Sequence, residues 1–325
     1  MATTTAALPL TSANLRPINL GRDLTEVADL IELCFADTLD RDGQRYLHQM
    51  RSAARSSSFL RWASRVSESV ALPLSGYVWE ESGHVVGNLS LIPFNTGFRR
   101  IYLIANVAVH PEHRRKGIAR SLTQAALTSL QRRGEEYPWL QVRADNPSAQ
   151  ELYASLGFQE RAVRTTWHSL PGLPGLETSP GTVITPRQRS HWTQQRRWFQ
   201  QAYPDEILWH FQIKADLLDP GLRGWFQRFA NTSLIAQWSA LRHGDLAGVL
   251  AWQSTNAYTD SLWLCASEGQ EEAAIRSLLP YAIARKGNRR PLALDYPAGR
   301  ADEAIRAAGF IPHVTLVWMQ AAHWL

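Results

Sequence analysis

The chain has 325 residues, 45% of them hydrophobic and 19% charged, and a formal net charge of +5. That composition excludes a disordered or fibrous chain, and the length suits two domains. The mild basic excess favours anionic ligands in general and is too small to point to nucleic acid.

Residues 1–13 are small and polar, with no charged segment leading into an apolar run, so no secretion signal is expected. No stretch approaches the roughly 20 apolar residues that span a bilayer, and a cytoplasmic protein is the expectation. Leu15 to Leu20 reads as a short strand. Asp23 is expected to cap a helix whose Val27, Leu30, Ile31 and Cys34 form an apolar stripe. A second helical stretch covers about 43–70. From Gly76 the pattern changes to two strands joined by Glu81-Ser82-Gly83-His84, then the apolar run 101–111 closed by Pro111. A basic, glycine-containing segment leads into a helix ending near Gly134. A strand at 139–144 follows, then a helix opened by Asn146-Pro147-Ser148, then more strand to Leu170.

Residues 171–186 are rich in Pro and Gly and read as a linker between a domain at 1–170 and another at 187–325. Beyond it a Trp-rich helical region covers 187–230. Two strands around His243-Gly244-Asp245 come next, followed by strand, helix, strand, helix and strand. The order matches the first half, and Leu156-Gly157-Phe158 and Ala308-Gly309-Phe310 end equivalent helices. The expectation is an internal duplication of a whole domain. Cys34 and Cys265 lie in apolar runs without ligand spacing; both read as buried hydrophobes, and no metal is expected.

The chemistry concentrates at VAVHPEHRRKGIARSL. An apolar strand ends at Pro111, the cations Arg114, Arg115 and Lys116 follow, and Gly117 precedes a helix. Amides at a helix start lack partners, and the helix dipole adds positive charge there. Glycine and alanine let a ligand approach that backbone closely, so the segment suits a pyrophosphate. Neither a Walker loop nor a G-x-G-x-x-G fingerprint is present.

The segment resembles the pyrophosphate-binding motif of the GNAT superfamily of acetyl-CoA-dependent N-acyltransferases, Q/R-x-x-G-x-G/A, here Arg114-Arg115-Lys116-Gly117-Ile118-Ala119. Val107 to Pro111 resembles that family's central strand, and Asn146 to Tyr153 with Leu156-Gly157-Phe158 its later helix. The resemblance covers about 14–170. It implies two tandem α+β domains, each a mixed, mostly antiparallel sheet with a splayed central strand and flanking helices. It implies acetyl-CoA as co-substrate and an N-acetyltransferase attacked directly by an amine. The pantetheine arm would lie along Val107, Ala108 and Val109. The amides of Arg115, Lys116, Gly117, Ile118, Ala119, Arg120 and Ser121 would wrap the pyrophosphate, helped by the Arg114 to Lys116 side chains. Asn146 would bond the pantetheine arm, and Tyr153 would protonate the leaving thiolate. Some members carry a base on the central strand where this chain has Leu103, so the base is unassigned. Asp37, Asp40, Asp42, Glu80 and Glu81 read as loop and turn acids.

In the second half, Glu268, Glu271 and Glu272 stand where the first has its cations, and Ile305 stands where it has Tyr153. Like charge would repel a pyrophosphate, so this half is expected to be a degenerate copy without the cofactor motif. The tryptophans of this half read as core or as the lining of a pocket. The expected partner is a small-molecule or peptide amine acceptor, with no nucleic acid and no membrane, and a homodimer is compatible with the chain. The alternative is a non-catalytic acetyl-CoA or CoA sensor or scaffold.

Overall fold

A computed structural model describes residues 13–56, 75–96, 100–135, 138–170, 179–211, 213, 215–222, 234–287 and 290–322. The chain forms two compact units. The first comprises Met1–Val142, Asn146–Arg161 and Trp318–Leu325; the second comprises Arg143–Asp145 and Ala162–Val317. Among the described residues no helix is long and apolar enough to cross a membrane.

In the first unit a short strand β1 (Leu15–Pro17) leads into helix α1 (Leu20–Phe35). The cap is Asn19, not Asp23: the Asn19 side chain accepts from Gly21 N. Asp23 lies inside the first turn, where its carboxylate accepts from Asn19 N at 2.7 Å and from Arg16 at 2.6 and 2.8 Å. Leu24, Val27, Ala28 and Ile31 fall at helical spacing on one face, and all are buried. Helix α2 (Arg41–Ala54) starts at Asp40, which accepts from Gly43 N. It ends sixteen residues short of the expected 43–70 stretch, whose later part falls mostly outside the described residues.

Strands β2 (Ser75–Glu81) and β3 (His84–Asn95) form the expected hairpin. Ser82 and Gly83 take φ of 51° and 85°, the left-handed pair that matches the strand twist in a two-residue turn. Strand β4 (Arg100–Val109) follows, then helix α3 (Ile118–Arg132), β5 (Trp139–Arg143), helix α4 (Pro147–Ser155) and β6 (Phe158–Ser169). The order β1-β2-β3-β4-β5 is antiparallel except for the parallel β4/β5 pair. Helices α1 and α2 bury one face against Val78, Val85 and Ala108. Helix α3 covers the other face, so closely that a Cβ on Gly87 would stand 2.7 Å from Ile118 Cγ2. Each leucine buried this way contributes about 1.5–3 kcal/mol. The C-terminal stretch from Trp318 also belongs to this unit, where Ala321 N donates to Pro138 O.

The second unit repeats the order. Its strands are β7 (Thr182–Pro186), β8 (Ile235–Arg242), β9 (Asp245–Gln253), β10 (Asp260–Ala266), β11 (Leu292–Pro297) and β12 (Phe310–Ala321). Its longer helices are α5 (Trp192–Ala202), α6 (Glu271–Ala282) and α7 (Asp302–Ala307). The order β6-β11-β10-β9-β8-β7 again holds one parallel pair, β10/β11. The β8/β9 turn uses the same left-handed pair, His243 at 52° and Gly244 at 92°.

The division differs from the expected boundaries. Residues 182–186 of the stretch read as linker form β7, paired with β8 from Thr182↔Arg242 to Pro186↔Trp238. Pro186 sits at the end of this edge strand, where a missing N–H costs no ladder bond. Residues 171–178 lie outside the described residues. Trp252 and Trp263 are buried, and Trp192, Trp198 and Trp238 pack on apolar clusters, so these tryptophans are core; Trp225 lies outside the described residues. Cys265 is buried as expected, whereas Cys34 is only half-buried and donates its thiol to Val109 O at 3.3 Å.

Candidate functional site

Strands β4 and β5 pair only at Leu103↔Trp139 and Ile104↔Leu140. Beyond Ile104 the two strands part, which leaves the β4 edge from Ala105 to Val109 without a strand partner on that side among the described residues. A bulge sits at the same place. Ser90 pairs with Ala105 and Asn88 with Ala108, so Asn106 and Val107 together oppose Leu89. Asn106 takes φ of 51°, left-handed backbone that asparagine tolerates better than most residues. Side chains hold it there. Asn106 Nδ2 donates to Tyr46 Oη at 3.0 Å and to Ser90 Oγ at 3.3 Å, and Asn88 Nδ2 donates to Asn106 O at 2.9 Å.

After β4 the chain turns at Pro111 and enters α3. Arg115 and Gly117 both take left-handed φ, 64° and 80°. Gly117 is the residue before the helix; it offers no side-chain cap, and the first turn carries no acid. The α3 start therefore presents amides and the positive end of the dipole with no side-chain cap among the described residues. Arg115 and Lys116 are exposed. Arg114 is exposed as well, and its Nε donates back to Val109 O at 3.2 Å, tying the turn to the strand end. Arg120 reaches Ser155 Oγ at 2.8 Å and so joins α3 to α4. Ala119 and Ser121 are half-buried, and Ile118 is buried against β3.

Helix α4 opens at Asn146, whose Oδ1 accepts from Ala149 N at 3.2 Å and from Ser148 Oγ at 3.2 Å. Asn146 thus has a capping role that the sequence reading did not assign to its side chain. Tyr153 lies on α4 and is buried, its ring 6.0 Å from Phe158 in an edge-to-face contact. Burial pushes its hydroxyl up to about 12. The group is therefore protonated throughout the neutral range and is equipped to donate.

The acids near the site have structural partners. Glu80 pairs with Arg16 and Arg22, Asp40 caps α2, and Asp42 stands 3.6 Å from Arg45. Glu81 accepts from Trp79 Nε1 at 2.9 Å, which holds its carboxyl below the usual range. His113 Nδ1 lies 2.9 Å from Glu81 Oε2 but off the hydrogen-bond line. His110, Glu112 and His113 bring ligand atoms within 4.8 Å of one another. His110 Nδ1 is already taken by Glu112 N at 3.4 Å, and the neighbouring cations Arg114 to Lys116 oppose a metal ion.

The second unit has the same splay with different contents. β10 and β11 pair from Asp260↔Leu292 to Leu262↔Leu294 and then part. Tyr203, fully buried, fills the gap: its hydroxyl donates to Asp295 O at 3.2 Å and accepts from Leu264 N at 3.3 Å. At the start of α6 the Glu271 carboxylate accepts from Tyr296 Oη and, at 3.0 Å, from Arg300 Nε. A carboxylate thus stands in the first turn of α6, where the first turn of α3 carries none; neither helix start has a side-chain cap. Ile305 is fully buried on α7. Sequence reading found the acids; it missed Tyr203, which no motif marks.

Residues 29–158 match the model described as the acetyltransferase (GNAT) family. A [ribosomal protein bS18]-alanine N-acetyltransferase of Escherichia coli (strain K12) is 41% identical over 63 residues, 19% of this chain and 43% of that protein. N-alpha-acetyltransferase 30 of Schizosaccharomyces pombe is 42% identical over 55 residues, 17% of this chain and 37% of that protein. The chain thus spans less than half the length of these curated relatives. The crystal structure of a GCN5-related N-acetyltransferase from Sphaerobacter thermophilus superposes with a TM-score of 0.55 at 15% identity, over 95% of this chain and 96% of that one. The likeness is one of fold, and it extends through both units.

Proposed function

We propose that the protein moves an acetyl group from acetyl-CoA to an amine, using the first unit alone, on the premise that residues 29–158 match the acetyltransferase (GNAT) family. The observation that carries this reading is the parting of β4 from β5 after Ile104↔Leu140, beside the uncapped start of α3. An unpaired strand edge suits the amides of a pantetheine arm, which adds to it as a further strand would. The left-handed turn at Arg115 and Gly117 and the following amides of Ile118, Ala119, Arg120 and Ser121 suit a pyrophosphate. Val107, Ala108 and Val109 lie along the arm in this reading, with Arg115 and Lys116 screening the phosphate charge. Arg114 holds the turn against Val109. Asn146 fixes the start of α4 and thereby the place of Tyr153.

The reaction is direct attack by a neutral amine on the thioester carbonyl. The amine nitrogen bonds the carbonyl carbon, the carbon–sulfur bond breaks, and the thiolate takes a proton from the Tyr153 hydroxyl. The amine's surplus proton leaves to solvent, solvent returns one to the Tyr153 oxygen, and the base is unassigned. One relative is named for an alanine of ribosomal protein bS18 and the other for N-alpha acetylation, but the stretches they share with this chain cover less than half of each, so the acceptor here is given only as an amine.

Thiol release from acetyl-CoA against a panel of amines and peptides tests the reading. Tyr153→Phe is expected to lower kcat about 100-fold and to leave acetyl-CoA affinity within about threefold, the pattern of a group acting in the transition state. Full activity of that variant on any acceptor would remove Tyr153 from the mechanism. Binding of acetyl-CoA without thiol release on any amine would favour a sensor or scaffold.

A further inference from the structure

Asn88 is a costly residue for its place. It is fully buried in β3, level with Val78 on one side and Ala108 on the other, and both of those belong to the apolar cluster under α1 and α2. Its Nδ2 donates to Asn106 O at 2.9 Å and lies 3.3 Å from Ser90 Oγ. That bond fixes the orientation of the amide, because a flipped group would set two oxygens against each other. Its Oδ1 is consequently buried with no protein partner. An orphaned buried acceptor costs about 1–3 kcal/mol, which an apolar residue at this position would avoid. A cost of this kind next to a backbone irregularity points to a task.

The irregularity is Asn106. Its carbonyl is held by Asn88 from β3, and its side chain by Ser90 from β3 and Tyr46 from α2. Three side chains from two elements thus converge on one left-handed residue, at the bulge that follows the last β4/β5 pair. A bulge without such contacts can shift along its strand, and every amide beyond it would then change direction.

We propose that Asn88, Ser90, Tyr46 and Asn106 form a clamp that fixes the β4 bulge and so aims the backbone amides beyond it at the thioester carbonyl of acetyl-CoA. These are positioning residues. They bind no part of the cofactor themselves, and they make the strand edge a preorganised oxyanion donor. The clamp rests on the acetyl-transfer reading above, and it assigns a role to residues outside the glycine turn and α4.

Acetyl-CoA labelled with 13C at the acetyl carbonyl tests the clamp without knowledge of the acceptor. In the wild-type chain, binding should displace the carbonyl resonance in the direction that hydrogen bonding produces. In Asn88→Val and Asn106→Gly the resonance should return most of the way to its free position. Affinity by calorimetry should fall by less than about tenfold, because the α3 start is separate from the clamp while the strand edge along Val107 to Val109 lies beyond it. On any acceptor that supports turnover, kcat should fall about 10- to 100-fold, the cost of a carbonyl misplaced by a fraction of an ångström. A merely structural role predicts the reverse balance. Asn88→Val removes one orphaned acceptor and leaves Asn106 O without its donor, so the thermal midpoint should shift little while the carbonyl displacement is lost. Should Asn88→Val fail to fold, Asn106→Gly decides the matter, because glycine adopts the same φ freely. A wild-type carbonyl displacement that persists in Asn106→Gly overturns the clamp and leaves the acetyl-transfer reading standing. A wild-type chain that binds no acetyl-CoA at millimolar concentration overturns both.

Discussion

Two glycines of the first unit serve opposite ends, and their surroundings separate the effects of adding a methyl group. At Gly117 a Cβ would meet no atom within 4 Å, so the cost of Gly117→Ala lies in its φ of 80°. Left-handed backbone costs a non-glycine residue about 1–2 kcal/mol; the free turn should relax out of that φ to avoid the cost, so that binding has to restore it and acetyl-CoA affinity weakens about tenfold with little change in the thermal midpoint. At Gly87 a Cβ would stand 2.7 Å from Ile118 Cγ2 and 3.0 Å from Trp79 Cβ. Gly87→Ala should instead lower stability by about 1–3 kcal/mol, as overpacking does, and calorimetry with thermal melts on both variants reads the two effects apart. An unchanged affinity in Gly117→Ala would remove that turn from the cofactor site. The place of Gly117 before α3 was legible in the sequence, because glycine takes left-handed backbone freely and stands there between cations and a helix. The set of Arg114 back onto Val109 was not, since side-chain direction depends on where the strand ends.

Elements of the first unit are fastened by charge as well as by apolar packing. Arg16 of β1 bonds both Asp23 of α1 and Glu80 of β2, and Arg22 adds a second bond to Glu80. Asp23 is 1% exposed. Burial pushes its carboxyl up, but the hydrogen bonds from Arg16 and the Asn19 amide outweigh this and hold it below the usual range. The folded chain therefore binds that proton less readily than the unfolded chain. The stabilisation is present above about pH 4 and is lost as pH falls through the folded value. Asp23→Asn should cost about 2 kcal/mol at neutral pH and make the acid loss of stability shallower. Urea denaturation at pH 7 and pH 3.5 measures both, and a variant as stable as the wild type at pH 7 would show the clip to be idle. Most elements here were legible from periodicity, down to the α1 stripe of Val27 and Ile31. The bulge was not. Asn106 interrupts an apolar run, and Asn88 and Ser90 share one face of the next strand, yet only register brings them together. Sequence also gave no sign that Trp318 onward belongs to the first unit, because the partner of a terminal strand is chosen by tertiary packing.

At the scale of the whole molecule, the duplicated order of elements raises the question of how many cofactors one chain holds. Each unit has a parallel pair that parts after its first residues, at Ile104↔Leu140 and at Leu262↔Leu294. The splay is thus inherited by both copies, and occupancy turns on what fills it. In the second unit the Tyr203 hydroxyl already bridges Leu264 N and Asp295 O, the backbone groups that the parting exposes. The start of α6 already holds the Glu271 carboxylate, satisfied by Tyr296 and Arg300. A pyrophosphate would have to displace a bonded anion of its own sign, in surroundings that screen the repulsion poorly. Titration with acetyl-CoA should therefore reach one equivalent per chain. Gly117→Asp, which sets a carboxylate at the first unit's helix start, should reduce that to none instead of exposing a weaker second site. Tyr203→Ala should not open a second site either. It removes a bridge between two strands and a large buried ring, and the expected outcome is a loss of about 3–5 kcal/mol of stability with the stoichiometry still at one. A second equivalent bound by the wild-type chain, or one gained in Tyr203→Ala, would mean that Glu271 does not bar the second splay.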